Sequence, residues 1–224
     1  AKFNLRAGIS MRRSGVDAAH FYSGEIMTNY MEIIKGHKLY VEPRSISYYV
    51  AAAYKSPVHS FFINGEMGYI TNRRGLSTMR DFREEYIVYS YVEGRNNANY
   101  FYINAGVGKG IELIDSNLSV DISYGDSRSQ LMQNGEITRY NLYNYTITPK
   151  FIGKFASWCT FDYQMKISMD KMITDAGKSS SNRYSHSLSL GVTPIKRINI
   201  MLSAEHYHSK LSGGEIKDFI LADA

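Results

Sequence analysis

From Trp158 to Met169 the chain alternates without a break. Cys159, Phe161, Tyr163, Met165, Ile167 and Met169 fall on one parity, and Thr160, Asp162, Gln164, Lys166 and Ser168 on the other. A period of two over this length predicts a strand with one apolar and one polar face. Globular strands usually run about 5–6 residues. A tilted strand crossing a bilayer needs about 9–11, apolar toward lipid and polar toward the lumen. The stretch has that length and that pattern.

The pattern recurs along the chain. Lys2–Arg13 carries Phe3, Leu5, Ala7, Ile9 and Met11 on one side. Leu39–Lys55 carries Ile46, Tyr48, Val50, Ala52 and Tyr54, with Pro43 expected at a bulge or at the less paired end. Further strands are predicted at Val58–Thr71, Asn99–Ile111, Leu118–Gly125, Thr138–Ile152, Tyr184–Thr193 and Ile198–Ser209, with a last one starting near Asp218. Counting Trp158–Met169, this makes about ten crossings. Glu85–Glu93 has apolar residues on both parities and is read as an excursion rather than a crossing.

Connections then fall into two classes. Short turns are expected near residues 56, 115, 155 and 195, and long loops near 14–37, 72–97, 126–137, 173–183 and 210–217. Short turns on one side and long loops on the other are the bookkeeping of a transmembrane barrel. The fold class read from the pattern is all-β, an antiparallel up-and-down transmembrane β-barrel, here a partial barrel. The competing reading is an extracellular β-sandwich.

Composition narrows this further. No run of about 18 apolar residues exists, so no transmembrane helix is predicted; barrel strands hide their apolar residues in alternation. Nineteen Tyr and 18 Gly against four Pro suit a β protein with many interfacial aromatics. The single Cys159 excludes an internal disulfide framework and lies on the apolar parity, as a buried or lipid-facing thiol. The formal net charge of +5 raises nucleic acid as a partner. However, Arg12, Arg13, Arg73, Arg74, Arg80, Arg83, Arg95, Lys171, Lys178, Arg183 and Lys210 all fall at long-loop ends. A basic outer rim toward lipopolysaccharide phosphates, or plain loop solvation, accounts for the charge without nucleic acid.

Several motifs follow one another in a familiar order. They are Tyr40-Val41-Glu42-Pro43-Arg44-Ser45-Ile46-Ser47-Tyr48, Asn134-Gly135-Glu136-Ile137-Thr138 and Thr148-Pro149-Lys150-Phe151-Ile152-Gly153-Lys154-Phe155-Ala156-Ser157-Trp158. Leu188-Ser189-Leu190 before Thr193-Pro194, Ser203-Ala204-Glu205-His206-Tyr207 and Phe219-Ile220-Leu221-Ala222-Asp223-Ala224 complete the set. Together they resemble the C-terminal half of large outer-membrane β-barrel proteins of Bacteroidota related to TonB-dependent receptors. Many of these begin with a carboxypeptidase-regulatory-like domain and a plug.

The resemblance covers essentially the whole chain. It implies a barrel of about 22 strands, of which residues 1–224 would be one segment, with the plug and the remaining strands elsewhere. Ten crossings alone would leave two unpaired edges, which lipid does not tolerate. The chain is therefore expected to belong to a longer protein or to pair with another chain. Outer-membrane lipid and lipopolysaccharide, the rest of the barrel and plug, a TonB-type energising protein and surface lipoproteins are the implied partners.

Candidate chemistry is sparse. Gly106-Val107-Gly108-Lys109-Gly110 lacks the Ser/Thr of a phosphate loop and lies inside a strand. His206 and His208 share one strand face and either ligate a metal or belong to an interfacial aromatic belt. Asp121, Asp162, Gln164, Lys166 and Glu205 share the lumen parity, where paired carboxylates could do acid–base work or simply solvate the interior. No catalytic, cofactor-binding or metal residues are assigned, the substrate-binding residues are unknown, and no enzyme or cofactor is expected. The expected function is TonB-dependent uptake of a bulky nutrient through the outer membrane. The alternatives are a structural or secretion-related barrel that anchors partners through its loops, and a soluble β-sheet protein.

Overall fold

The structure, a computed structural model, describes residues 1–13, 24–36, 42–195, 198–214 and 216–223. Among these residues twelve strands form a single sheet: β1 (Lys2–Arg13), β2 (Glu25–Asn29), β3 (Glu32–Lys35), β4 (Arg44–Ser56), β5 (Phe61–Phe82), β6 (Ile87–Ile111), β7 (Ser116–Gln133), β8 (Glu136–Ala156), β9 (Cys159–Thr174), β10 (Gly177–Ile195), β11 (Ile198–Leu211) and β12 (Ile216–Asp223). One turn of 3-10 helix, Glu112–Ile114, is the only helical element among the described residues. Ten strands form an up-and-down path in the order β1-β4-β5-β6-β7-β8-β9-β10-β11-β12, each antiparallel to its neighbour. β1 and β12 stand at the two edges of this path, so the sheet is not closed.

The alternation read from the sequence survives intact in the register. Leu5, Ala52, Gly65, Ala105, Ile122, Ile147 and Ile167 lie opposite one another across seven successive strands. One residue further along, Arg6, Ala51, Glu66, Asn104, Ser123, Thr146 and Ser168 form the corresponding row on the other face. A one-residue slip at any pair would move a whole strand's apolar set to the wrong face. The two rows therefore agree only because every register is in phase.

Among the described residues no second layer covers either face. Val88, 8% exposed, is the one buried hydrophobic residue among those described, while Phe3, Leu5, Ile9, Met67, Ile122 and Ile147 stand open. The accessible surface of 15562 Å² compares with roughly 10,400 Å² for a compact monomer of this mass. A sandwich would bury its apolar face against a second sheet. This sheet presents it outward.

The expected long loops at 72–97, 126–137 and 173–183 prove to be mostly strand, and the one at 210–217 shrinks to the connection between Leu211 and Ile216. β5 and β6 stay paired out to Phe82↔Ile87, β7 and β8 to Gln133↔Glu136, and β9 and β10 to Thr174↔Gly177. Backbone pairing in a hairpin continues without a buried face, whereas the alternation ends where the apolar face ends. Asn134 and Gly135, at φ 49° and 83°, form the two-residue turn whose positive dihedrals match the strand twist, which Asn-Gly favours. At the opposite end the turns are 57–60, 112–115 and 157–158, with Asp115 left-handed at φ 41°. The turn expected near 155 therefore falls later, at 157–158, and at the turn expected near 195 Pro194 and Ile195 still belong to β10, with Lys196 and Arg197 outside the described residues.

Other boundaries also move. The region 14–37 contains the β2–β3 hairpin; residues 14–23 and 37–41 lie outside the described residues, and Pro43 precedes β4 rather than interrupting it. Glu85–Glu93 is no separate crossing: Ile87–Glu93 is the far arm of β6, paired with Leu76–Phe82. Beyond a bulge between Arg74 and Leu76 this hairpin turns over. Its β5 arm meets β7 in parallel (Met79↔Met132, Arg80↔Gln133) and its β6 arm meets β3 (Glu32↔Ile87, Ile34↔Tyr89). The far arm thus forms a small platform, fixed by Asn134 N donating to Arg80 O at 2.9 Å and Phe82 N donating to Asn134 Oδ1 at 3.1 Å.

Candidate functional site

The polar face is the first candidate surface. One row across it alternates glycine and tyrosine: Gly8, Tyr49, Gly68, Tyr102 and Gly125 lie opposite one another on β1, β4, β5, β6 and β7. The rings lie over the glycines. A Cβ on Gly8 would meet Tyr49 Cε1 at 2.6 Å, and one on Gly68 would meet Tyr102 Cε1 at 2.5 Å. Tyr100, stacked against Tyr102 with centroids 5.7 Å apart, covers Gly125. Tyr102 also donates its hydroxyl to Glu66 Oε1 at 2.6 Å. Glycine here admits a ring that any side chain would displace, which is how edge and corner glycines are commonly covered in curved sheets.

Around this shelf the groups are hydrogen-bonding and largely self-satisfied. Asp121 Oδ1 and Asn64 Oδ1 converge over Gly106, where a Cβ would come within 2.6 and 2.7 Å of them. Lys150 Nζ lies 3.7 Å from Asp162 Oδ2. Asp170 accepts from Asn144 Nδ2 at 2.5 Å and from the Arg183 guanidinium. Arg183, expected at the outer rim, belongs instead to this polar-face network.

The carboxylates expected on the lumen parity do not converge. Asp121 faces Thr148 and Asp162 faces Ile152, four residues further along β8, about 13 Å at strand rise. Gln164 and Glu205 both flank Ser187, and Lys166 flanks Ser185. Two carboxylates so far apart share no proton or water, so the arrangement offers no acid–base pair. Gly106, Gly108 and Gly110 are strand residues of β6, not a phosphate cradle.

His206 and His208 lie on the apolar face and share one acceptor. His206 Nε2 is 2.8 Å from Asp218 Oδ1, and His208 Nδ1 is 3.2 Å from Asp218 Oδ2. His186 stacks on His206 at 5.7 Å, and Tyr163 Oη is 2.8 Å from His186 Nδ1. Among the described residues no group of three or more His, Cys, Asp and Glu has metal-holding geometry. The histidines act as an aromatic, hydrogen-bonded cluster that ties β12 to β11. Cys159 is half-buried at the start of β9.

The apolar face has a graded upper boundary. The row Ile9, Tyr48, Tyr69, Phe101 is aromatic-rich, and the next row, Met11, Ile46, Thr71, Asn99, turns polar. The row beyond that is Arg13, Arg44, Arg73. Arg128 on β7 pairs with Asp126, Nη2 to Oδ2 at 2.9 Å, beside Tyr69, Phe101 and Asn99 around a recess of 340 Å³. That carboxylate holds the Arg128 guanidinium above its ordinary value. Of the expected rim residues, Arg13, Arg73, Lys171 and Lys178 carry the apolar parity and Arg12 the polar one. Arg80 and Arg83 lie over Tyr89 and Tyr86 on the platform. The side chains of Arg74 and Arg95 lie outside the described ones.

Comparison of the chain with known protein families, with characterised proteins and with solved structures finds no match. No helix among the described residues is long and apolar enough to cross a membrane, which leaves strand crossings open. The shelf and the arginine row were invisible to the sequence because both depend on inter-strand register. Only the parity of each residue within its own strand, polar for these Gly and Tyr residues and apolar for the arginines, is legible along the chain.

Proposed function

We propose that this chain is part of the wall of an outer-membrane β-barrel receptor that takes up a bulky nutrient, energised across the periplasm by a TonB-type partner. The observation that carries the membrane reading is the ten-strand antiparallel path with one continuous apolar face and, among the described residues, no second layer. On β9, Cys159–Met169 at about 3.3 Å per residue and a tilt of about 40° spans roughly 25 Å, the height of a barrel's apolar band. The polar face would then line the lumen, against a plug, and the edges β1 and β12 would pair with the remaining strands of the barrel. The motif resemblance supplies the uptake role; neither catalysis nor nucleic acid enters the reading.

The platform built by β2, β3 and the far arms of β5 and β6 favours a second reading, a barrel that anchors surface partners such as lipoproteins. Its tips expose Tyr30 (86%), Met27, Met31 and Phe82. The deciding experiment deletes the gene and measures growth on candidate nutrients with and without a functional energising protein. Membrane extraction only by detergent, heat-modifiable gel mobility and an energy-dependent growth defect support the receptor. Release without detergent overturns both readings, and loss of surface partners with uptake intact favours the anchor.

A further inference from the structure

We propose that His206, His208 and Asp218 form a proton-binding clasp that tightens the β11–β12 seam as pH falls from about 8 to about 5.5, the range in which imidazoles take up a proton. The inference rests on the membrane reading above, because it turns on the face that the carboxylate occupies. Asp218 lies opposite His208 in the row that continues Ile147, Ile167 and Tyr184, so it belongs to the apolar face. An ionised carboxylate there is costly unless a neighbouring group neutralises it. Both of its oxygens are engaged by imidazole nitrogens, Oδ1 by His206 Nε2 at 2.8 Å and Oδ2 by His208 Nδ1 at 3.2 Å. With both rings neutral the trio carries one negative charge; with one proton held between them it carries none. That proton also turns a neutral hydrogen bond into a charge-assisted one, roughly twice as strong.

The neighbours limit the clasp to one proton and one pH window. His186 stacks on His206 with centroids 5.7 Å apart, so a second proton on that pair meets a like charge. The Tyr163 hydroxyl engages His186 Nδ1 at 2.8 Å, and the Tyr184 ring flanks His208 at 6.2 Å. Lys210 shares the face, opposite Ile216. An ammonium keeps its charge and a phenol its proton throughout the window, so these groups form a constant background. Below about pH 4 carboxylates take up protons, which closes the window on the acid side. β12 is the strand that such a clasp would govern. All eight of its residues are exposed, and its register with β11 runs only from Ser203↔Asp223 to Lys210↔Ile216. Cross-strand side-chain bonds therefore weigh heavily in holding it.

The test follows hydrogen exchange of residues 203–210 and 216–223 in the full-length protein in liposomes, from pH 5.5 to pH 8, corrected for the intrinsic pH dependence of exchange. Wild type is expected to exchange about fivefold more slowly at pH 5.5 than at pH 8 in both segments, with β4 to β8 flat. Asp218→Asn, which keeps the shape and one acceptor oxygen, should abolish the difference, and so should His206→Gln/His208→Gln. His59→Gln, in the turn 57–60, should match wild type. Flat exchange in wild type, or a pH profile that survives in either clasp variant, overturns the proposal. Loss of the profile in His59→Gln does the same, because the response would then not belong to this seam. Flotation of the same samples keeps the two readings apart. Wild type that fails to float removes the membrane reading, whereas flat exchange in protein that floats removes the clasp alone.

Discussion

The ring of Tyr102 occupies the space a side chain on Gly68 would need: a Cβ there would lie 2.5 Å from Cε1 and 2.6 Å from the hydroxyl oxygen. That same hydroxyl is held by Glu66 at 2.6 Å. The clash falls on the far end of a side chain rather than on backbone, so substitution should displace the ring instead of the strand. Gly68→Ala is expected to cost about 1–3 kcal/mol, the price of a misplaced ring and a lost bond to a carboxylate. Chemical denaturation of Gly68→Ala, Tyr102→Ala and the double variant checks it. The double variant should lose less than the sum of the two single losses; strict additivity would mean the ring does not cover the glycine.

Neighbouring residues on the two faces should differ sharply in their tolerance of charge. Ile122→Lys puts an ammonium on the apolar face and is expected to destabilise the inserted protein by about 2–4 kcal/mol at mid-depth. Ser123→Lys, one residue away on the polar face, should change stability by less than about 1 kcal/mol. Unfolding from liposomes measures both, and similar losses would show that the faces are not distinguished by lipid.

Asn134 joins two hairpins. Its backbone is left-handed at φ 49°, and its side-chain oxygen accepts from Phe82 N. Asn134→Ala removes the acceptor and places a side chain less tolerant of positive φ at the turn, together costing about 2 kcal/mol. Hydrogen exchange should speed up in residues 76–93 and 130–138, with β9 and β10 unchanged. Unaltered exchange in 76–93 would mean that the platform is held by its pairing with β3 alone.

Asp218 is the acceptor for two imidazoles across the β11–β12 pair. Asp218→Ala should therefore raise exchange of the β12 amides 216–223 several-fold while leaving β4 to β8 as they were. Uniform protection in β12 would assign its order to backbone pairing only.

How far the sequence reached follows from what alternation reports. It located the ten strands of the path because each keeps an apolar face, and Lys2–Arg13 matches β1 at both ends. It failed where strands outrun that face: Asn72–Phe82, polar and basic, reads as a loop yet completes β5 through main-chain bonds to β6. The platform has the same cause, since parallel contacts such as Glu32↔Ile87 have no local signature. Site features were less legible still. His206 and His208 were recognisable as a pair, but Asp218 as their shared partner, and Arg44 as the middle of an arginine row, appear only once the strands are placed side by side.

The central claim is that Cys159–Met169 faces lipid with its odd residues and a polar lumen with its even ones. Single spin labels introduced at residues 160 to 169 on a Cys159→Ser background, with the protein in liposomes, test it most directly. The account predicts that labels at 161, 163, 165, 167 and 169 collide with dissolved oxygen and are shielded from a water-soluble paramagnetic complex, while those at 160, 162, 164, 166 and 168 show the reverse. Equal access of the water-soluble complex to both parities would contradict it.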